Sequence, residues 1–96
     1  MAKYLQSGLR RDCCALVCAL EEPTGQSLKR ALESHYEDRI APAQFYGALD
    51  ALVEAGHLTR EPDGVTDRYA LTDAGEAALL EHASWLADQV GPPRRA

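Results

Sequence analysis

The sequence predicts a mainly α-helical domain with one small β-hairpin, and three observations support this fold class. An apolar stripe with helical spacing runs through residues 45–53 and stops before Gly56. Two short alternating segments follow, separated by Pro62-Asp63-Gly64. A further helix signal then begins at Thr72-Asp73. Helix, hairpin and helix in this order form the second half of a winged helix-turn-helix.

The length of 96 residues corresponds to a single domain, residues 1–96. Within it, residues 1–6 are expected to be an arm and residues 92–96 a frayed tail. The chain contains no apolar run of about 18 residues, and no signal-peptide core follows Met1. We therefore expect a cytoplasmic protein that does not cross a membrane.

The net charge of −5 argues against simple binding to a polyanion. The charge is uneven, because residues 1–60 hold seven Lys/Arg against eight Asp/Glu and residues 61–96 hold three against seven. A local basic face in the first part is therefore still possible. The excess of Arg over Lys, with abundant Ala and Asp, is typical of proteins from high-salt or high-GC organisms, and composition does not separate these two causes.

The first helix is expected to be capped by Ser7, with an interior from Leu9 to Leu20. It is apolar nearly all round, since a 4-3-4 row (Leu9, Cys13, Leu16, Leu20) is accompanied by a second row (Cys14, Val17, Cys18). Such a helix is buried on two sides. We expect one side to meet its own domain and the other a partner chain, and Pro23 to end the helix.

The second and third helices follow from capping residues and apolar spacing. Thr24 or Ser27 opens the second helix, which runs to about Tyr36. Its inner stripe is Leu28, Ala31, Leu32 and either His35 or Tyr36. Pro42 suits the first turn of the third helix, and Gly56 suits the left-handed position after its end. The apolar face of the third helix is Phe45, Ala48, Leu49, Leu52 and Val53.

The hairpin is expected to pair residues 57–61 with residues 65–71 through a type I turn at Pro62-Asp63-Gly64. Both segments alternate as strands, and we expect Leu58, Tyr69 and Leu71 to face inward and Arg60 and Arg68 to face solvent or a ligand. A capping box of Asp73 and Glu76 begins the last helix, which ends near Val90. Its 4-3-4 row suggests a coiled-coil seam of Leu79, Ala83, Leu86 and Val90.

The three cysteines raise the alternatives of a metal or redox site and of simple packing. Adjacent cysteines on a helix point apart, no Cys-x-x-Cys pair exists, and no histidine follows at ligand spacing. We therefore expect Cys13, Cys14 and Cys18 to be small buried apolar residues and the protein to bind no metal or other cofactor. The three histidines are scattered without a nucleophile-His-acid order, so no enzyme activity is expected.

Segments 40–52, 56–58 and 69–75 together resemble the PadR-like family of transcriptional regulators. Over about residues 5–90 the chain is similar to the short PadR-like proteins of halophilic archaea. The resemblance implies a homodimer that binds a pseudo-palindromic operator on double-stranded DNA and represses transcription. It places the third helix in the major groove and the hairpin, called the wing, on the backbone or minor groove. Tyr46 matches the family's recognition-helix tyrosine. Unlike its relatives' helix, the third helix here lacks Lys and Arg.

The expected sites follow from this fold. Base contacts are expected from the start of the third helix, and phosphate contacts from the second helix and the wing. These DNA-binding candidates are Gln44, Tyr46, Gly47, Lys29, Arg30, Arg60 and Arg68. The alternative for the two wing arginines is a local ion pair with Asp67 or Glu61. The expected dimer residues are Leu9, Leu16, Leu20, Leu79, Leu86 and Val90, with Trp85 beside them. The alternative function is a protein-interaction module whose acidic face docks a basic partner.

Overall fold

The computed structural model describes residues 8–91 and shows four helices and one antiparallel hairpin in that range. The elements are α1 (Gly8–Leu20), α2 (Gly25–Tyr36), α3 (Pro42–Glu54), β1 (Leu58–Asp63), β2 (Thr66–Leu71) and α4 (Asp73–Val90). This confirms the predicted winged helix-turn-helix. The arm, the Ser7 cap and the tail at residues 92–96 lie outside the described residues. No helix within residues 8–91 has the length and apolarity to cross a membrane.

The core lies where α1, α2, α3 and the hairpin meet. Its fully buried side chains come from all of these elements: Cys13, Cys14, Val17, Leu28, Leu32, Phe45, Leu49, Leu52 and Leu58. The helical spacing of the apolar residues explains the arrangement, since each helix presents one stripe inward. Helix α1 is the central element, because α2, α3, β2 and α4 of its own chain all pack against it.

The cysteines differ from one another in burial. Cys13 and Cys14 point apart yet are both fully buried, because α1 is covered on more than one side by its own chain. Burial raises the pKa of Cys13 to about 12 and that of Cys14 to about 11, so both thiols stay protonated. The expectation for Cys18 was wrong: it is exposed, because the last turn of α1 extends beyond the core. Within residues 8–91 no group of three potential metal ligands lies together.

The connection from α1 to α2 joins the hairpin. Thr24, the first of the two expected caps, accepts a hydrogen bond from the Ser27 amide at 3.1 Å. The Tyr69 amide donates to the Pro23 carbonyl at 3.0 Å, and Thr24 forms a β-bridge with Arg68. This short segment therefore lies beside β2 and fixes the hairpin against the start of α2.

The hairpin turn differs from the expected type I turn. The strands extend to an Asp63–Thr66 pair, so Gly64 and Val65 alone form the loop. Gly64 has a φ of 68° in the first central position, which is the glycine position of a type II′ turn. Such a turn matches the twist of the flanking strands, and this favours the longer pairing over the turn chemistry of Pro62-Asp63.

Helix α4 is anchored on the chain just after α3. Thr72, and not Asp73, is its N-cap: the Thr72 hydroxyl accepts from the Gly75 amide at 2.9 Å and donates to the Gly56 carbonyl at 2.6 Å. The Thr72 amide donates to the His57 carbonyl at 3.1 Å. Gly56 has the predicted left-handed conformation, with a φ of 83°. Asp73 instead occupies the first turn, where the helix dipole favours a negative charge.

Candidate nucleic-acid interface

The outer face of α3 is exposed along its whole length. Phe45, Leu49 and Leu52 hold the opposite face in the core, so the outer residues are free to meet a partner. The exposed residues are Pro42, Ala43, Gln44, Tyr46, Gly47, Asp50 and Glu54. The structure thus places Gln44, Tyr46 and Gly47, the DNA-binding candidates of this helix, at its exposed start.

Tyr46 is positioned by close packing at the start of α2. Its ring meets Phe45 edge-on, with centroids 4.8 Å apart. A Cβ at Gly25 would lie 3.2 Å from Tyr46 Cε1 and 3.3 Å from its hydroxyl, so the absence of a side chain at residue 25 makes room for the ring. Tyr46 lines a cleft of about 180 Å³ between α2, α3 and the hairpin, together with Thr66 and Asp67 of the wing.

Gln44 and Tyr46 lie on opposite edges of the exposed face, because two residues span about 200° of an α-helix. Gln44 lines a separate hollow with Arg11 and Tyr36. Gly47 lies between the two edges, and a Cβ there would meet no atom within 4 Å. The middle of the face is therefore flat and open, with side chains rising on either side.

The cations of α2 differ in their partners. Lys29 Nζ is 2.8 Å from Glu33 Oε2, one turn further along the helix. This hydrogen bond, together with one from the Ile40 amide, lowers the pKa of Glu33. Arg30 is exposed, and the described part of the chain offers it no ion pair. Of the two expected phosphate contacts on α2, Arg30 is thus the more available.

Arg68, the second wing arginine, binds one carboxylate and one backbone carbonyl. Arg68 Nε lies 2.6 Å from Asp63 Oδ2, and its Nη1 donates to the Glu22 carbonyl at 2.9 Å. Its partner is therefore neither Asp67 nor Glu61. The pair is about half exposed at both ends, so it remains accessible to solvent.

Arg60 is exposed, as expected, but it lies on the same face of the hairpin as Leu58 and Tyr69. It pairs directly with Tyr69 across the strands and shares the face of Leu58. Its Nε donates to the Tyr69 hydroxyl at 3.2 Å, and its Nη2 donates to Asp50 Oδ1 on α3. These hydrogen bonds, the one to the Tyr69 hydroxyl first, raise the pKa of the guanidinium. Sequence reasoning missed this link between helix and wing.

The signal that could have found the link is the hairpin register. With the turn at Gly64-Val65, Arg60 stands opposite the inward Tyr69. The expected turn hid this pairing, because a loop at residues 62–64 gives the two strands a different register.

The expected dimer residues divide into two groups. Leu9, Leu16 and Leu79 are partly buried against the core of their own chain. Leu20, Leu86 and Val90 are exposed, with Val90 74% exposed. Trp85 is also exposed and stacks on His82 at 5.9 Å.

These elements define a winged helix-turn-helix, and solved structures of the same fold confirm this class. The chain is similar to the structure of H. salinarum RosR that was grown from NaBr. The TM-score is 0.85, and the identity is 24% over 94% of this chain and 82% of that chain. It is also similar to RosR in the complex RosR-S1, with 26% identity, a TM-score of 0.81, and coverage of 86% and 74%. The complex RosR-S4 gives 25% identity, a TM-score of 0.84, and coverage of 94% and 78%. No protein-family model and no curated protein sequence matches the chain.

Proposed function

We propose that this protein is a sequence-specific DNA-binding transcriptional regulator of the PadR-like type, acting as a homodimeric repressor on a pseudo-palindromic operator. The observation that carries the proposal is the exposed start of α3, which stands beside the wing with open space at Gly47. The similarity to RosR, seen alone and in complexes, supports a regulator built on this fold. The cytoplasmic location expected from the sequence stays a prediction.

The shape of the α3 face suits close approach to a duplex. With no side chain at Gly47, the helix backbone can come near the floor of the major groove, which is wide enough for an α-helix. Gln44 at one edge can form paired hydrogen bonds with an adenine. Tyr46 at the other edge can donate its hydroxyl to a phosphate.

Phosphate binding is assigned first to Arg30, because this guanidinium is exposed at the surface of α2. To bind a phosphate, Lys29 and Arg68 would each have to leave the carboxylate that they now contact. For the exposed pair of Arg68 the exchange costs little, since such surface pairs contribute about 0–1 kcal/mol. The neutral balance of the first 60 residues thus still allows a local basic strip.

The homodimer is proposed from the apolar stripe of α4. The stripe begins at Gly75 and Leu79, which pack on the chain's own domain, and it continues at Leu86 and Val90, which are exposed. The spacing of four, seven and four residues keeps all four on one face. A second copy of α4 would cover the uncovered part, and a symmetric dimer on a palindrome requires two α3 helices.

DNA binding is tested by selecting duplexes from a randomised pool and measuring affinities by fluorescence anisotropy at low salt. Gln44→Ala should weaken binding to the selected site by about 1–3 kcal/mol and change binding to random DNA little. Arg30→Ala should weaken binding to all sequences and flatten the salt slope by about one unit. Gln89→Ala, an equal truncation of an exposed glutamine on α4, serves as the matched control.

Assembly is tested by light scattering at micromolar concentration. The wild type should be a dimer, and Leu86→Glu should make it a monomer by placing a charge in the apolar seam. Ser84→Glu adds the same charge to another face of α4 and should leave the dimer intact. A monomeric wild type would remove the dimer proposal without affecting the fold.

One observation favours the second function, a protein-interaction module. Three of the four cations expected to bind phosphate are already bound to carboxylates in a chain of net charge −5. An acidic surface of this kind fits a basic protein partner. If the wild type binds neither the randomised pool nor its own promoter region at low salt, this second function becomes the better account.

A further inference from the structure

An acidic residue lies within the proposed DNA-reading face of α3. Asp50 lies one turn after Tyr46 on the outer side of α3, and its side chain is 67% exposed. A carboxylate directed at a duplex repels phosphates, so it needs either a compensating cation or a base that donates to it. The structure supplies the cation, because Arg60 reaches across from the wing to Asp50 Oδ1.

The guanidinium of Arg60 is itself held in place by a buried ring. Tyr69 is only 3% exposed, its hydroxyl accepts from Arg60 Nε at 3.2 Å, and the guanidinium carbon lies 5.5 Å from the ring centroid. Cation–π attraction and the hydrogen bond both fix Arg60 from the wing side. Asp50 is thereby oriented by a support on a different element from its own helix.

We propose that Asp50 determines base specificity by accepting a hydrogen bond from the N4 amino group of a cytosine in the major groove. Arg60 acts as its positioning residue. This inference rests on the proposed DNA-binding function. A carboxylate only accepts hydrogen bonds, and cytosine offers a donor there. Adenine also offers a donor, but its N7 acceptor lies beside it and repels a carboxylate oxygen.

The opposite arrangement would have Arg60 leave Asp50 and bind a phosphate. The two arrangements differ in what each variant changes. If Asp50 reads a cytosine, its replacement alters the preferred base at one position of each half-site. If Arg60 binds phosphate, its replacement lowers affinity for every sequence and flattens the salt dependence.

The test selects duplexes from a randomised pool with the wild type, Asp50→Asn, Arg60→Ala and Glu54→Gln. Glu54→Gln is the matched control, because it removes the same charge from the same exposed face one turn later. The wild type and Glu54→Gln should both require a cytosine at one fixed position, with about tenfold weaker binding when it is replaced. Asp50→Asn should lose this requirement and still bind random DNA at least as well as the wild type.

Arg60→Ala should reduce the cytosine preference and, because Asp50 then lacks its compensating cation, weaken binding to random DNA modestly without flattening the salt slope. The inference is overturned if Asp50→Asn keeps the cytosine requirement, if the wild type shows none, or if Arg60→Ala weakens binding to all sequences with a flatter salt slope. A wild type that selects no sequence and binds no DNA refutes the proposed function itself, which is a different result from selection without a cytosine. Thermal unfolding of each variant confirms that it is folded.

Discussion

Replacing Gly75 by alanine should destabilise the protein strongly, although alanine is the better helix former. A Cβ at residue 75 would lie 2.2 Å from the His57 carbonyl oxygen and 3.0 Å from Leu71 Cδ1. The contacted oxygen belongs to the backbone, so relief requires α4 to move away. That movement would also stretch the hydrogen bonds that Thr72 makes to Gly56 and His57.

The magnitude follows from two opposing contributions. Overpacking of this kind costs about 1–3 kcal/mol and occasionally more. The gain in helix propensity from glycine to alanine offsets about 1 kcal/mol of it. Because the contact is with fixed backbone, we expect the upper part of the overpacking range, and a net loss of about 2 kcal/mol or more. In a domain of this size that lowers the melting temperature by roughly 10 °C.

Gly47→Ala is the matched control, since it makes the same substitution in a helix where the new Cβ meets no atom within 4 Å. It should raise stability by up to about 1 kcal/mol through propensity alone. Both variants are compared with the wild type by thermal and urea unfolding. Equal effects of the two substitutions, or a Gly75→Ala variant as stable as the wild type, would refute the packing assigned to α4.

Three further predictions concern capping, titration and thiol chemistry. Thr72→Ala should cost about 1–2 kcal/mol of unfolding free energy in urea, because it removes an N-cap and a bond to the Gly56 carbonyl; a loss below about 0.5 kcal/mol, the usual size of a surface effect, would contradict it. Burial lowers the pKa of His57 below its ordinary 6.5, so the unfolded chain takes up a proton at a higher pH than the folded one. The stability that depends on neutral His57 should be full above pH 6.5 and fall as the pH drops toward the pKa of the folded state. Urea titrations of His57→Gln should show a smaller loss over the same pH range. At pH 8 iodoacetamide should label only Cys18 in the native protein and all three cysteines in urea, and rapid native labelling of Cys13 or Cys14 would disprove their burial.

Several features of this protein follow from the sequence because they depend on residues close together in the chain. Apolar residues three and four apart determine which side of α3 is buried, and Gly56 marks its end by accepting a positive φ. Thr24 can be recognised as the N-cap of α2 because the helical pattern begins directly after it. Helix, hairpin and helix in this order then define the fold class, and with it the exposed start of α3.

Only the tertiary structure decided the partners of the charged side chains and the burial of the cysteines. The Asp50–Arg60 pair joins a helix to a strand. Its geometry depends on the register of the hairpin, and the two-residue turn sets that register. Cys14 and Cys18 share a helix face, yet one is buried and the other exposed, because the packed elements cover only part of α1. Contacts of this kind depend on how segments far apart in the chain pack together, and the local spacing of residues does not determine that packing.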